Sequence, residues 1–159
     1  MKRCPAPFSI VHQIILLLLI LGLLGIASMS ISAWRAEAIQ GHTYAINKAG
    51  SLRMQSYRLL TMVPLNSESH HYLDTLEQDQ NSQQLKQTVD KEQLSPQLDA
   101  LKQYWHQQLR PQLERARNPD QATAQVIQFV HHLDELVFAI DRKTEQSLIT
   151  IRHQQITFI

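Results

Sequence analysis

The chain has 159 residues, room for one domain plus a targeting or anchoring segment. Its formal net charge is +1, and no basic patch is interleaved with aromatic residues, which excludes a nucleic-acid partner on charge grounds. A single cysteine, Cys4, excludes an internal disulfide and any cysteine-based zinc or haem-attachment motif.

The four glycines lie at positions 22, 25, 41 and 50, and Leu, Gln, Ala and charged residues dominate the rest. That composition predicts an all-α protein. From Ile14 to Ile31 the sequence IILLLLILGLLGIASMSI runs 18 residues without a charge, and no Asp, Glu, Lys or Arg occurs between Phe8 and Trp34. About 20 apolar residues cross a bilayer as a helix, so the stretch is long enough. Trp34 suits the interface, while Lys2 and Arg3 favour a cytoplasmic amino terminus. The rival is a cleaved signal peptide, with Ala33 and Ala36-Glu37-Ala38 as small residues, but its apolar core runs only about 7–15 residues. Either way, residues 35 onward are expected outside the cytoplasm.

The first helix is predicted to run from the span to Val63, with a mild break at Gly41, and Pro64 ends it. Asn66-Ser67-Glu68-Ser69 offers oxygens to cap a second helix, which carries Tyr72, Leu73, Leu76, Leu85 and Val89 around a polar middle, Asp79 to Gln84. Ser95-Pro96 starts the third, with serine at the cap and Leu98, Leu101, Trp105, Leu109 and Leu113 as its stripe, and Pro111 kinks it or begins its last turn. After Asn118-Pro119-Asp120 a fourth helix brings Val126, Ile127, Phe129, Val130, Leu133, Leu136, Val137 and Ile140 and extends to about His153. One transmembrane helix continuing into an antiparallel up-down-up-down four-helix bundle is the expected architecture.

Helix 1 carries heptad rows. Ile39, Ile46, Arg53 and Leu60 share an edge; His42, Ala49, Ser56 and Val63 form a companion row; Ala45, Leu52 and Leu59 make a third. Arg53 stands where Ile or Leu fits the pattern, with small Ala49 and Gly50 one turn before it. A buried unpaired charge costs several kcal/mol, so a carboxylate, solvent or an external anion must satisfy it. If the facing helix belongs to a second copy, two Arg53 side chains meet, and no acid on helix 1 lies between Glu37 and Glu68 to relieve them. A small planar oxyanion between two guanidinium forks would do so. The alternative is an ion pair with Asp134, Glu135 or Asp141. Spacing leaves both open.

The segment INKAGSLRMQSYRLL, residues 46–60, resembles the signature at the start of the sensor domain in bacterial nitrate/nitrite sensor histidine kinases, the NarX/NarQ family. The opening MKRC, the single span, Trp34 and FVHHLDELVFAIDRKTE (129–145) resemble it too, and Asn47-Lys48 and Pro64-Leu65 favour the NarX type. The resemblance covers nearly the whole chain. It implies an inner-membrane homodimer whose periplasmic four-helix bundle binds nitrate or nitrite at the dimer interface. It also implies that Arg53 is the anion-binding arginine, Gly50 the backbone contact, and Lys48 and Arg58 supporting basic residues. The implied layout is a cytoplasmic amino terminus at 1–13, a transmembrane helix at 14–34, a periplasmic sensor domain at 35–153 and the start of a second transmembrane region at 154–159. No nucleotide-binding glycine loop follows Gly50, so this stretch is expected to sense but not to phosphorylate; a full-length member would be a histidine kinase, reaching a response regulator only through that half.

Two other readings remain. One is a membrane-anchored input module of chemoreceptor or pilus-transducer type for another ligand. The other is a kinase-less modulator that pairs with a complete sensor. The adjacent pairs His70-His71 and His131-His132 diverge by about 100° on a helix and make poor ligand sets. His132 and Glu135, with His42 nearby, form the one metal grouping worth weighing, but helix-surface histidines are usually solvated. Haem would need an inward His or Met pair, and Met54 and Met62 are expected in the core, with Tyr104 and Trp105 as packing residues. No metal, cofactor or catalytic residue is expected.

Overall fold

The computed structural model describes residues 10–156, with side-chain surroundings up to Gln146. Lys2, Arg3 and Cys4, and residues 157–159 of the expected second span, lie outside the described residues. The chain divides into two compact units, Met1–Ile39 and Gln40–Ile159. All described elements are helical: α1 (Ile10–Thr61), α2 (His70–Gln80), α3 (Gln83–Lys91), α4 (Ser95–Tyr104), a π-helical turn (Trp105–Leu109), α5 (Arg110–Arg115) and α6 (Asp120–Ile156).

In the first unit, α1 is long and apolar enough to cross a membrane, and none of its most apolar 18-residue window is buried inside the protein. Leu16 to Leu19, Leu21, Leu23, Leu24 and Ile26 are all exposed. Such a surface is stable only against lipid or an apolar partner.

The second unit is the bundle, and its helix directions follow from which residues meet. Moving back along α1, Arg58, Lys48, Tyr44 and His42 meet Tyr72, Asp79, Ser82 and Glu92 in turn, so α1 and the α2–α3 arm are antiparallel. Arg53 meets Asp134 and His42 meets Thr144, so α6 also runs against α1. Trp105 and Arg110 reach back to Glu77, and Trp105 lies 5.9 Å from Phe129, ring to ring, which completes the up-down-up-down order. The wide apolar face of α1 serves two neighbours, as its heptad rows predict. Ala45, Ala49, Leu52, Ser56 and Leu59 are buried there, and Val63, just past the helix end, is buried as well.

The boundaries show where local chemistry decides. Pro64 follows α1 as expected, and Asn66 Oδ1 accepts from both the backbone N–H and the hydroxyl of Ser69, 2.8 Å each, in the turn that opens α2. The second helix is two helices. Asn81 donates its amide to the Glu77 carbonyl at 2.9 Å, and Ser82 is extended (ψ 133°), so the polar middle breaks the helix. Ser95 is not the cap of α4 but its first residue, and its hydroxyl lies 2.6 Å from Asp90 Oδ1. Before it, Gln93 takes a left-handed conformation (φ 58°), with Leu94 N–H bonding Val89 C=O at 2.9 Å and Gln93 N–H bonding Asp90 C=O at 3.1 Å. This pair of bonds, with Val89 and Leu94 both buried, is a Schellman ending with glutamine where glycine is usual.

The third arm shows why its stripe departs from ideal spacing. Leu101, Trp105, Leu109 and Leu113 are each four apart and all fully buried. In an unbroken α-helix three such steps would drift about 120° around the axis. The π turn over Trp105–Leu109 winds more slowly and keeps all four on one face. It also widens the backbone just before Pro111, whose ring and missing N–H would otherwise conflict with the turn below.

Two expected core residues are on the surface. Met54 is 70% and Ile127 56% exposed: Ile127 follows buried Val126, and Met54 lies two residues from each of buried Leu52 and Ser56, so both turn away from the core face.

Candidate functional site

The residues singled out around α1 separate onto different faces. Lys48 Nζ donates to Asp79 Oδ1 at 2.9 Å, and Gln55 Nε2 donates to Asp79 Oδ2 at 2.6 Å, tying α1 to the end of α2. The hydrogen bond to Asp79 raises the Lys48 pKa above its ordinary 10.5. Burial opposes the charged form of Asp79, but the hydrogen bonds from Gln55 and Lys48 outweigh it and hold that carboxyl below its ordinary 3.8. Arg58 stacks on Tyr72, 4.4 Å from the ring centre, and donates to the phenol oxygen at 3.2 Å. Lys48 and Arg58 thus belong to the α1–α2 contact.

Arg53 points elsewhere. Its guanidinium pairs with Asp134 on α6, and both side chains are about half exposed, 46% and 52%. This is the ion-pair alternative, realised with the first of its three candidate acids. Arg53 thus stands at the outer edge of the bundle, half exposed, with its carboxylate supplied by α6. Ser56 secures the same turn from inside, its buried hydroxyl donating to the Arg53 carbonyl at 2.7 Å.

Gly50 lies one turn before Arg53 and is exposed. A Cβ added there would meet nothing within 4 Å, so no neighbour in the chain requires glycine. Gly41 differs, since its added Cβ would come within 3.1 Å of the Thr88 hydroxyl. Close to Arg53 and Asp134 in sequence, Met54 and Tyr57 on α1 and Phe138 on α6 are exposed apolar side chains.

The histidines do not converge. His42 Nε2 lies 2.7 Å from Glu92 Oε1, and its Nδ1 lies 2.7 Å from the Thr144 hydroxyl. His131 and His132 both face Glu135, at 3.3 and 3.5 Å. Among the described residues no group of three His, Cys, Asp or Glu side chains could hold a metal ion. Sequence reasoning missed the Lys48–Asp79–Gln55 knot, because no periodic signal marks a polar residue at a helix end as a partner.

At the bundle edge, then, an outward guanidinium is paired with one half-exposed carboxylate, next to a glycine with open space. The chain belongs to the family described as the type IV pili methyl-accepting chemotaxis transducer N-terminal domain, whose model matches residues 34–129. Within that class it is similar to the nitrate/nitrite sensor protein NarX of Escherichia coli K12, 42% identical over 151 residues, which are 95% of this chain and 25% of that protein. The NarX proteins of Escherichia coli O157:H7 and Shigella flexneri match to the same extent. The chain therefore spans about a quarter of the length of these curated relatives. The Escherichia coli NarX sensor domain solved with nitrate is 44% identical with a TM-score of 0.64, covering 69% of this chain and 96% of that one. The same domain without ligand gives 45% and 0.59, covering 60% and 96%.

Proposed function

We propose that this chain is the periplasmic nitrate/nitrite-sensing input domain of a two-component sensor histidine kinase. It is anchored in the inner membrane with its amino terminus in the cytoplasm, and it works as a homodimer that binds the anion between paired Arg53 side chains. The observation that carries the reading is the 44% identity to a sensor domain solved in complex with nitrate, 96% of which this chain covers. Gly50 would present backbone to the anion, with Lys48 and Arg58 in support by fastening the α1–α2 contact that orients the Arg53 turn.

The site's physics supports this. A glycine inside a helix costs about 1 kcal/mol against alanine. Since nothing in the chain needs Gly50, its reason lies in what approaches from outside. A second copy of α1 and an anion between the two would be such an approach, and exposed Met54 and Tyr57 beside it suit a subunit contact. Mutual repulsion of two arginines is not needed to recruit the ligand, because Asp134 already neutralises each. A histidine kinase core and a response regulator would be reached through the parts of the relatives that lie beyond the matched quarter.

The test is thermal unfolding of the full chain in detergent micelles or lipid nanodiscs. Nitrate at about a hundred times its Kd is expected to stabilise by about 2.7 kcal/mol. For a chain of this size that raises the melting temperature by about 5–10 °C. Arg53→Ala is expected to abolish the shift while leaving the unliganded melting temperature within about 2 °C of the parent, since an exposed ion pair contributes little. A second reading is favoured by the family description, that of a pilus-type transducer input for a different ligand. No shift with nitrate or nitrite, together with a shift from another small anion or an organic acid, would replace the first reading with the second.

A further inference from the structure

We propose that Asp134 is a resident occupant of the Arg53 guanidinium, which an incoming oxyanion must displace, so that binding removes one of the polar ties between α6 and α1. The inference rests on the nitrate reading and extends it to a residue that sets affinity and carries the response.

Three observations lead there. First, a carboxylate and a planar oxyanion present the same pair of oxygens to a guanidinium fork, so they compete for the same donors. Second, the pair is open to exchange. Arg53 and Asp134 are about half exposed, and Asp134 has Arg53 as its hydrogen-bond partner among the described residues. Asp79, by contrast, is held by two donors on less exposed ground and is fixed. Third, the pair spans two helices. Arg53–Asp134 and His42–Thr144 are polar ties between α1 and α6, and exchange at Arg53 loosens the first while the second holds.

The consequence is thermodynamic. A ligand shifts an equilibrium only by binding one state better than another. Here the two states are Arg53 held on Asp134 and Arg53 free to accept the anion, and the carboxylate lowers apparent affinity by the fraction of time it holds the guanidinium.

The experiment is isothermal titration of nitrate into the full chain in nanodiscs, with Asp134→Asn, Asp134→Ala and Glu135→Gln. An exposed ion pair can hold back about a twofold to fivefold change, so both Asp134 variants are expected to bind nitrate that much more tightly. The alanine variant shows that the gain does not come from a new amide donor. Glu135→Gln removes the same charge from the next position, where the carboxylate faces His131 and His132, and is expected to change affinity by less than about 1.5-fold. Structural damage would weaken binding and cannot imitate the gain. Unchanged or weaker binding by the Asp134 variants, or equal tightening by Glu135→Gln, overturns the exchange while the nitrate reading stands. Binding of nitrate by none of the proteins overturns both.

Discussion

Lys48 and Arg53 lie five residues apart on α1, about 140° around the helix, and each ends on a carboxylate of another helix. Their settings differ. Lys48 and Asp79 are 19% and 26% exposed and Asp79 also accepts from Gln55, whereas Arg53 and Asp134 are about half in solvent. The two glycines divide the same way: Gly41 allows Thr88 on α3 to approach, and Gly50 faces open space. One side of α1 is committed to folding the bundle, and the other carries a half-exposed ion pair and a glycine that faces open space. A basic residue in a conspicuous motif is therefore a ligand candidate only if its charge is not already fixed by the fold.

That division can be broken or sharpened by substitution. The largest effect belongs to the inward face. Leu52 is fully buried, and Leu52→Ala is expected to cost about 2–5 kcal/mol in denaturant unfolding. A cost below about 1 kcal/mol would mean that α1 does not pack as described. Next comes the fixed carboxylate. Asp79→Ala strands Lys48 and the Gln55 amide and should cost about 1–3 kcal/mol.

The same pair sets the pH response. The folded pKa of Asp79 is lowered, so its contribution is present above the ordinary 3.8 and is lost as pH falls through the folded value below that. The raised pKa of Lys48 gives the mirror image: stability present below 10.5 and lost as pH rises through the folded value. Asp79→Asn should flatten the acid limb of a stability–pH curve, and an unchanged acid limb would show that the knot does not form.

The smallest effect on folding is the most discriminating. Gly50→Ala meets no neighbour and should stabilise the chain by about 0.5–1 kcal/mol while weakening its nitrate response. A loss of stability would place Gly50 with Gly41 as a packing residue and remove its functional meaning.

Much of the fold was legible. The buried rows of α1 carry the heptad spacing from Ala45 to Val63, because a helix facing two neighbours must repeat its apolar residues near 3.5. Pro64 and Ser95-Pro96 marked helix ends or starts through the missing proline N–H, and the chain turns where they predict. The π turn was present in the four-residue spacing of Leu101, Trp105, Leu109 and Leu113, but Pro111 drew the explanation to itself. Met54 and Ile127 were misplaced because hydrophobicity alone does not say which way a residue on a two-sided helix points. At the site, Arg53 and Gly50 stood out as exceptions to a pattern. The choice among Asp134, Glu135 and Asp141 did not, since all three lie within two turns of one helix.

Sequence alone determined the apolar first stretch, the helical arms and the anomaly of a cation on a heptad edge, because these depend on spacing and composition along one strand of chain. Tertiary structure decided that Lys48 belongs to Asp79, that Arg53 belongs to Asp134 and that Gly50 belongs to no neighbour in the chain. Those assignments join residues 31 and 81 positions apart, and only the register in which antiparallel helices pack can bring such charges together.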